Sequence, residues 1–257
     1  MIKKRKLNIA YFGGRILGYK CLKILNQFHK DLNIKIVITN KRDGEQGSDW
    51  NPPILPLAEK CKLNQKSIDT LKDLSFISYF RDLKIDILFN AFCNRIIPVE
   101  ILRVLKIGAI NFHYGKLPEY RGRFIVSHII LNGESTTFVT AHFIDRKVDA
   151  GDIIFKSAVP VFPGDTAKSL YLRCTDKAEE LFKRTLKYLI EGKNLPRRKQ
   201  TGKSKYFSFK EPNNCEVDFS WPQEKIKRFI RAVTFPPISQ PWFKIGKSKY
   251  FINISEK

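Results

Sequence analysis

The alternation of apolar and polar positions predicts strands and helices that follow one another along the chain up to about residue 190. Apolar or β-branched runs typical of buried strands lie at residues 7–12, 34–39, 85–90, 107–112, 136–144 and 153–161. Apolar residues at helical spacing lie at 16–28, 55–62, 68–83, 98–105, 124–131 and 167–190. This order predicts an α/β fold with a doubly wound, mostly parallel, Rossmann-like sheet.

The segment after Gly192 differs in composition from the rest. Residues 193–210 are basic and polar, a helix is predicted at 223–233, and residues 242–254 have the pattern of a β-hairpin. We therefore predict two domains. The first is a main domain of residues 1–200, and the second is a small C-terminal helix and β-hairpin region of residues 201–257.

The composition and net charge of the chain bear on its core and on the kind of partner that it could bind. The 257 residues are 43% hydrophobic, which is enough for a well-packed core. The net charge is +22, from 47 Lys and Arg against 25 Asp and Glu. Such a charge indicates either a polyanionic partner or a lysine-rich surface. Because the basic residues are scattered along the chain, we favour the surface and do not expect a nucleic-acid partner.

The cysteines and the N-terminal segment indicate the cellular compartment in which the protein is expected. The five cysteines are far apart, with no Cys-x-x-Cys pair. This predicts reduced thiols, and neither a disulfide framework nor a zinc site. The apolar part of the N-terminal segment is too short for a signal peptide, and no apolar run approaches about 18 residues. We therefore expect a cytoplasmic protein that does not associate with membranes.

The first strand is followed by glycines that suggest a dinucleotide site. Gly13, Gly14 and Gly18 are a loose variant of the Gly-x-Gly-x-x-Gly fingerprint. Their spacing does not fit the fingerprint, and no acidic residue ends the second strand. A nicotinamide cofactor is therefore not expected, and we interpret the glycines as a tight turn against which the first helix packs.

The strand at 107–112 and the residues after it carry the candidate chemistry. Asn111 and His113 are two residues apart, so both project to the same face of the strand. A neutral histidine can accept a proton from an attacking nucleophile, and an asparagine amide can donate to an oxyanion. An aspartate such as Asp149 can orient the imidazole or relay protons. Since no activated Ser or Cys lies beside these residues in sequence, direct attack by a substrate group is favoured over a covalent enzyme intermediate.

Structural roles remain open for the same residues. Asn111 and His113 could satisfy backbone groups where the strand ends, and Asp149 could be a turn residue. Spacing alone cannot bring Asp149 to His113.

Three motifs resemble the folate-dependent formyltransferase family. They are NFHYGKLPEYRG at 111–122, NGE at 132–134 and TAHFIDRKVDAGDII at 140–154. The family includes glycinamide ribonucleotide, methionyl-tRNA and sugar-nucleotide formyltransferases, and the resemblance spans about residues 7–190. One departure is that Tyr-Gly-Lys follows His113, where the family commonly has Pro-Ser-Leu.

The resemblance implies a catalytic trio of Asn111, His113 and Asp149, with no metal. It also implies that the formyl donor is 10-formyltetrahydrofolate, a reduced folate, whose pterin is held between two loops, largely by backbone groups. In this chain the residues of those loops are Arg95, Ile96, Ile97, Phe143, Asp145 and Lys147.

Three amines compete as acceptor. For initiator tRNA the resemblance implies a basic insertion after the second strand and a C-terminal barrel of about a hundred residues. Here residues 41–51 hold two basic and three acidic residues, and 57 residues follow position 200. Glycinamide ribonucleotide formyltransferases usually end soon after the long helix and so lack a region like residues 201–257, which disfavours that acceptor. Residues 221–237 resemble the linker helix of sugar-nucleotide N-formyltransferases, which implies a nucleotide-linked amino-dideoxy sugar for a surface polysaccharide such as O-antigen.

Arginines are expected to bind the diphosphate of that substrate, and Phe235 or Trp242 to stack on its base. The predicted substrate-binding residues are Tyr120, Arg121, Gly122, Arg123, Arg231, Phe235 and Trp242. Two alternatives to the hypothesis of a sugar-nucleotide N-formyltransferase stay open. They are an enzyme acting on initiator tRNA and a non-catalytic nucleotide- or RNA-binding module. The intact trio argues against the second. The hairpin could pair two subunits into a homodimer, and the sequence does not specify the nucleotide, the sugar or the position of its amine.

Overall fold

A computed structural model describes residues 5–40, 51–93, 95–208 and 210–254. The strands, in chain order, are β1 (Leu7–Gly13), β2 (Leu32–Thr39), β3 (Gln65–Ser67), β4 (Ile87–Ala91), β5 (Gly108–His113), β6 (Arg121–Gly122), β7 (Thr136–Phe143), β8 (Ile153–Pro160), β9 (Tyr206–Phe207), β10 (Trp242–Ile245) and β11 (Ser248–Phe251). The α-helices are α1 (Arg15–Gln27), α2 (Ile54–Lys60), α3 (Leu74–Asp82), α4 (Val99–Arg103), α5 (Ile125–Asn132), α6 (Ala167–Ile190) and α7 (Gln223–Ala232). Short 3-10 helices span Ile68–Lys72 and Pro212–Cys215.

The main sheet has seven strands in the order β3-β2-β1-β4-β5-β7-β8. β1 pairs in parallel with both β2 and β4, and the β2/β3 and β4/β5 pairs are parallel too. The strand order therefore runs outward from the centre in both directions, which is the doubly wound arrangement. β10 and β11 form an antiparallel hairpin. The predicted fold class, including the C-terminal helix and hairpin, is confirmed.

One predicted helix is interrupted in the structure. Residues 68–83 form the 3-10 helix Ile68–Lys72 and then α3, because Asp73 between them has extended backbone angles (φ −88°, ψ 127°). Residues 41–50, which make up nearly all of the segment 41–51 considered as a possible basic insertion, lie outside the described residues. No helix in the described ranges is both long enough and apolar enough to cross a bilayer.

The turn after β1 shows why glycine is needed there. The Gly14 N–H donates to the Ala91 carbonyl at 2.9 Å. A Cβ at position 14 would lie 2.5 Å from the Phe92 carbonyl oxygen. The backbone of this turn thus approaches the end of β4 too closely for any side chain, in agreement with the interpretation of these glycines as a tight turn.

The chain divides into two compact units, and neither is a continuous segment. The first unit comprises Met1–His113, Ala141–Phe155 and Ala178–Lys199, and the second comprises Tyr114–Thr140, Lys156–Lys177 and Gln200–Lys257. The boundary between Lys199 and Gln200 lies one residue before the predicted domain boundary, while the other boundaries lie within or at the ends of strands and within α6. The division into domains of residues 1–200 and 201–257 stays a prediction.

Each unit has its own apolar core. In the first unit, side chains of β1, β2 and β4 pack with α3 and α4, and the fully buried members include Phe12, Ile38, Phe80, Leu88 and Ile101. In the second unit, α7 buries Phe229 and Val233 against Val217 and against Trp221, Trp242 and Phe243. The C-terminal region of residues 201–257 thus packs around a cluster that also includes Leu131 of α5, and the hairpin contributes aromatic rings to it.

The start of α6 is built around a buried carboxylate. The Ser169 N–H donates to Thr166 Oγ1 at 3.2 Å, which caps the helix. Asp165 accepts hydrogen bonds from the Arg173 guanidinium at 2.6 and 2.9 Å, from the Phe162 N–H at 2.7 Å and from the Ser169 hydroxyl at 2.7 Å. Burial alone would raise the pKa of Asp165, but these donors together lower it below its ordinary 3.8.

Replacing Asp165 with Asn is expected to destabilise the fold by about 2 kcal/mol at pH 7, because the amide cannot accept from Arg173 in the same way. Since the folded-state pKa is depressed, the stabilisation is complete above pH 3.8 and is lost as the pH falls through the folded value. Urea unfolding at pH 7 and pH 3 measures this, with the exposed Asp82→Asn as control. Equal unfolding midpoints for the Asp165 variant and the wild type at pH 7 would show the prediction to be wrong.

Candidate active site

β5 presents a polar face and an apolar face. Phe112 packs on Phe182, with ring centroids 5.5 Å apart. Asn111 and His113 flank Phe112 along the strand and so project to the opposite face. The continuous apolar packing on one side fixes the register, and the register fixes the direction of the two polar side chains.

The loop after β7 carries Asp149 on a tightly closed backbone. The Phe143 N–H donates to the Asp152 carbonyl at 2.9 Å and joins the two ends of the loop. A Cβ at Gly151 would lie 2.0 Å from the Phe143 carbonyl oxygen, so this close approach requires glycine. Asp149 has φ 51°, in the left-handed region that few residues other than Gly, Asn and Asp adopt.

The structure brings the three predicted catalytic residues together. His113 Nδ1 lies 3.4 Å from Asp149 Oδ2, and the two side chains are 7% and 10% exposed. Asn111 Nδ2 donates to the other carboxylate oxygen, Oδ1, at 3.4 Å. One carboxylate therefore contacts both the imidazole and the amide, an arrangement that can stabilise a histidine cation and hold the amide in place.

A fourth residue, His142 on β7, belongs to the same cluster and was missed by the sequence reasoning. Its Nδ1 lies 2.8 Å from the Phe143 carbonyl oxygen, which can only accept, so Nδ1 carries the hydrogen. Its Nε2 lies 3.1 Å from Asn111 Nδ2 and 3.4 Å from Asp149 Oδ1. The imidazole thus acts as an acceptor for the Asn111 amide and determines which end of that amide faces the carboxylate.

The signal that could have found His142 is a single imidazole in an otherwise apolar and β-branched strand, TTFVTAHF. The side chain is 1% exposed. A histidine so completely buried is hydrogen-bonded, and its partners must come from a neighbouring strand or loop.

The first predicted folate-binding loop begins beside a turn shaped by Asn90. The Asn90 side chain accepts the Cys93 N–H at 2.9 Å and donates to the Cys93 carbonyl at 3.2 Å. Arg95 lies 3.7 Å from Asp69, Ile97 is buried in the core, and Ile96 is 71% exposed. The side chain of Ile97 is therefore already packed, which leaves its backbone for a ligand.

The second predicted folate-binding loop is also pinned by local contacts. Phe143 is 5% exposed, and the Arg197 guanidinium stacks on its ring at 3.6 Å from the centroid. The Asp145 carboxylate accepts the Arg146 N–H at 2.7 Å, and the Lys147 carbonyl accepts the Ala150 N–H at 3.3 Å. These side-chain and backbone contacts stiffen the loop that carries Asp149.

The predicted substrate-binding residues all lie in the second unit, and several are engaged there. The Tyr120 hydroxyl donates to Glu134 at 2.5 Å and accepts from Asn132 at 2.9 Å. Arg121 donates to Gln200, and Arg123 lies over the Phe124 ring at 5.8 Å from the centroid. Gly122 has φ 105° and pairs with Phe207 in the short β6/β9 ladder.

The two predicted base-stacking rings are occupied by protein contacts. Phe235 is 6% exposed and packs edge-to-face on Tyr171, with centroids 5.1 Å apart. The Lys249 ammonium lies 3.9 Å from the centroid of the Trp242 ring. A base could stack on the buried Phe235 ring only after its neighbours move, and the stacking role of both rings stays a prediction.

Arg231 lies in the last turn of α7. Its Nε is buried, and within the described ranges no acceptor lies within hydrogen-bonding distance of that atom. A buried guanidinium donor without an acceptor is costly, which makes it a candidate for binding an anionic ligand. The same described ranges contain no group of His, Cys, Asp and Glu placed to hold a metal ion.

Curated relatives carry several activities. A GDP-perosamine N-formyltransferase of Brucella melitensis is 32% identical over 65% of this chain and 64% of its own length. A methionyl-tRNA formyltransferase of Clostridioides difficile is 29% identical over 92% of this chain and 74% of its own. The bifunctional polymyxin resistance protein ArnA of Wigglesworthia glossinidia brevipalpis is 31% identical over 65% of this chain, which spans 25% of ArnA.

A solved structure and a family match complete the comparison. The N-formyltransferase of Helicobacter canadensis, in complex with folinic acid and dTDP-3-aminofucose, has a TM-score of 0.73 and 26% identity, covering 95% of this chain and 86% of that one. Residues 7–186 match the family described as Formyl_trans_N, formyl transferase. The chain therefore belongs to the formyl transferase family, a family of folate-dependent enzymes.

Proposed function

We propose that this chain transfers the formyl group of 10-formyltetrahydrofolate to the amine of a nucleotide-linked amino-dideoxy sugar. The observation that carries the proposal is the convergence of His113 and Asp149 at 3.4 Å. The sugar acceptor is supported by the likeness, over 95% of this chain, to an enzyme in complex with dTDP-3-aminofucose. The product is destined for a surface polysaccharide such as O-antigen.

Two exposed apolar side chains support a folate donor. Ile96 is 71% exposed and Val148 is 41% exposed, one on each of the two predicted folate-binding loops. An aromatic ligand between these loops would cover both side chains, while backbone groups of the loops pair with its polar edge. The donor supplies a formyl group carried on nitrogen N10 that an amine can attack.

His113 moves the proton in this reaction. Its Nδ1 faces Asp149, so we assign to Nε2 the acceptance of the proton of the attacking amine, after which the Nε2–H of the imidazolium donates to the oxyanion. The acceptor nitrogen forms a bond to the formyl carbon and loses a proton through His113. The bond from that carbon to N10 then breaks, and N10 receives the proton. Asp149 stabilises the imidazolium that exists between the two transfers.

Asn111 is the second oxyanion ligand in this proposal. Its amide nitrogen donates to His142 at 3.1 Å and to Asp149 at 3.4 Å. The second contact is at the long limit of a hydrogen bond and is the weaker of the two. The substrate oxygen replaces that contact, while His142 keeps the amide oriented.

The acceptor assignment is tested with purified full-length protein, 10-formyltetrahydrofolate and a panel of dTDP-, UDP- and GDP-linked amino sugars beside charged initiator tRNA. Mass spectrometry detects the formylated product, and absorbance follows the release of tetrahydrofolate. Formylation of at least one amino sugar supports the proposal. Formylation of the tRNA alone, or of no acceptor, overturns it.

Arg231 is proposed to bind the diphosphate. Its orphaned buried Nε gains an acceptor when a phosphate oxygen binds. Replacing Arg231 with Lys keeps the charge but removes the planar donor set. We expect KM for the nucleotide sugar to rise roughly tenfold with kcat little changed, since charge-assisted hydrogen bonds contribute about 1.5–3 kcal/mol.

The matched control for this prediction is Arg228→Lys, because Arg228 lies one turn earlier on α7 and donates to the Leu131 carbonyl at 3.4 Å. Steady-state kinetics with varied sugar substrate give both KM values. If KM for the nucleotide sugar is the same in Arg231→Lys and Arg228→Lys, Arg231 does not bind the diphosphate.

Initiator tRNA is the second candidate acceptor. It is favoured by the likeness to a methionyl-tRNA formyltransferase over 92% of this chain and by the net charge of +22. It is disfavoured by residues 41–51, whose two basic and three acidic residues make a poor surface for phosphates. The panel above distinguishes the two acceptors directly.

The hairpin is the surface through which two copies would form a homodimer. Pairing places Phe243 opposite Tyr250 and Ile245 opposite Ser248, so these side chains share one face, of which Phe243 packs in the core of the second unit. Lys244 is opposite Lys249 on the other face. The face with Ile245 and Tyr250, which are 62% and 47% exposed, therefore carries no lysine among its paired residues and can meet a second copy without juxtaposing like charges.

A further inference from the structure

The loop assigned to the acceptor is shaped by a distant segment of the chain. Arg121 donates from Nε and Nη2 to the single side-chain oxygen of Gln200, at 3.2 and 2.7 Å. Because two donors of one planar guanidinium converge on this oxygen, they hold the orientation of the Arg121 side chain. The side chain of Arg121 thus links its loop to residue 200 before any ligand binds.

The backbone makes a second set of contacts with the same segment. The Arg121 N–H donates to the Lys205 carbonyl at 3.0 Å, and the Arg123 N–H donates to the Phe207 carbonyl at 3.1 Å. Between them, a Cβ at Gly122 would lie 2.0 Å from the Phe207 carbonyl oxygen. β9 therefore lies so close to the loop that only glycine fits at position 122.

The Phe207 ring completes the attachment. It is 7% exposed and lies parallel to Tyr120, with centroids 5.6 Å apart, and to His128, with centroids 4.0 Å apart. Burial, together with the nearby Lys205 ammonium, lowers the pKa of His128 to about 4, so this imidazole is neutral at pH 7. Three uncharged rings thus form one stack from the loop through β9 to α5.

We propose that Gln200 and Phe207 are positioning residues that set the affinity for the amine acceptor through the loop 120–123, without contacting the acceptor. The inference rests on the proposed function, because it takes that loop as the acceptor site. Small displacements of binding groups have large kinetic effects, on the order of 10²-fold for about 1 Å. The loop is held by side-chain, backbone and ring contacts with residues 200–207, so weakening any one set displaces it.

Kinetics of single variants test the role of each residue. Gln200→Leu removes the acceptor for Arg121, Gln200→Glu restores one, and Phe207→Leu keeps apolar volume but removes the ring stack. We expect KM for the nucleotide sugar to rise roughly tenfold in the two Leu variants. KM for the folate should change less than about twofold, and Gln200→Glu should recover most of the affinity for the sugar.

The matched control is Tyr206→Leu, since Tyr206 precedes Phe207 on β9 but is 50% exposed. An unchanged KM for the sugar in both Gln200→Leu and Phe207→Leu overturns the proposal. So does an equal rise in the KM for both substrates, because that indicates general loss of structure.

Hydrogen exchange separates failure of this proposal from failure of the proposed function, because it needs no substrate. Amides of residues 121–123 should exchange faster in Gln200→Leu and Phe207→Leu, while those of β5 should keep wild-type protection. Unchanged exchange at 121–123 overturns the positioning role even if the enzyme formylates sugars. Faster exchange confined to that loop supports it even if the acceptor proves to be another amine.

Discussion

Replacing His113 with Asn is expected to lower kcat for formyl transfer by roughly 10³-fold, since general acid–base catalysis contributes typically 10²–10⁴-fold. The asparagine cannot accept and release the proton of the attacking amine. It also cannot become the cation that Asp149, 3.4 Å from His113 Nδ1, would stabilise. The KM for either substrate should change much less than kcat, because the loss falls on the transition state.

Folding must be measured alongside, because His113 is only 7% exposed. Thermal unfolding of the variant should remain cooperative, with a midpoint within a few degrees of the wild type. The exposed His29→Asn on the same unit is the matched control and should keep full activity. A folded His113→Asn protein with wild-type kcat would eliminate His113 as the proton carrier.

Replacing Asp149 with Asn is expected to lower kcat by roughly 10²–10⁴-fold, the range over which loss of an orienting carboxylate acts on a catalytic histidine. Asparagine has almost the same shape and tolerates the φ of 51° at this position, so the loop should keep its conformation. What is lost is the negative charge that faces both His113 and His142, each at 3.4 Å.

Asp152→Asn is the control for this substitution. Its carboxylate belongs to the same loop but lies 3.9 Å from Arg197, so its loss removes one weak, partly exposed ion pair. Comparison of kcat at pH 7 for Asp149→Asn and Asp152→Asn isolates the contribution of the negative charge at position 149 to catalysis. Equal kcat values would mean that the carboxylate at 149 has no catalytic function.

The sequence predicted those parts of the molecule that depend on local periodicity. A period of two along β5 was enough to place Asn111 and His113 on one face, and continuous apolar runs were enough to identify a parallel sheet. A helix was predicted at 124–131, and α5 ends one residue later, at Asn132, where Gly133 with φ 70° follows. Such features depend on residues that are close together in the chain, so they can be predicted from a single sequence.

Contacts between distant residues were predicted only in part. Spacing could not bring Asp149 to His113, since the approach depends on how Gly151 closes the loop on Phe143. It was the family resemblance that predicted their proximity. His142 was missed because a histidine inside a buried strand has the same pattern as a core residue, and its role depends on a neighbouring strand.

The contacts of residues 200–207 were beyond sequence reasoning for a similar reason. Gln200 and Phe207 lie in a polar segment without periodicity, and their partners are more than 75 positions away. The predicted role of Tyr120 and Arg121 as direct ligands was reasonable from type and position alone. The structure places their side chains on Glu134 and Gln200, and their part in binding stays a prediction.

The central claim is that His113 and Asp149 work as one unit on one formyl group, and a double-mutant cycle tests it most directly. The measurement is kcat/KM for the wild type, His113→Asn, Asp149→Asn and the double variant, with 10-formyltetrahydrofolate and the amino sugar that the panel identifies. Residues that act as a unit are strongly non-additive, so the double variant should be no more than about threefold slower than the worse single variant. A double variant whose loss equals the product of the two single losses would contradict the claim, because the two side chains would then act independently.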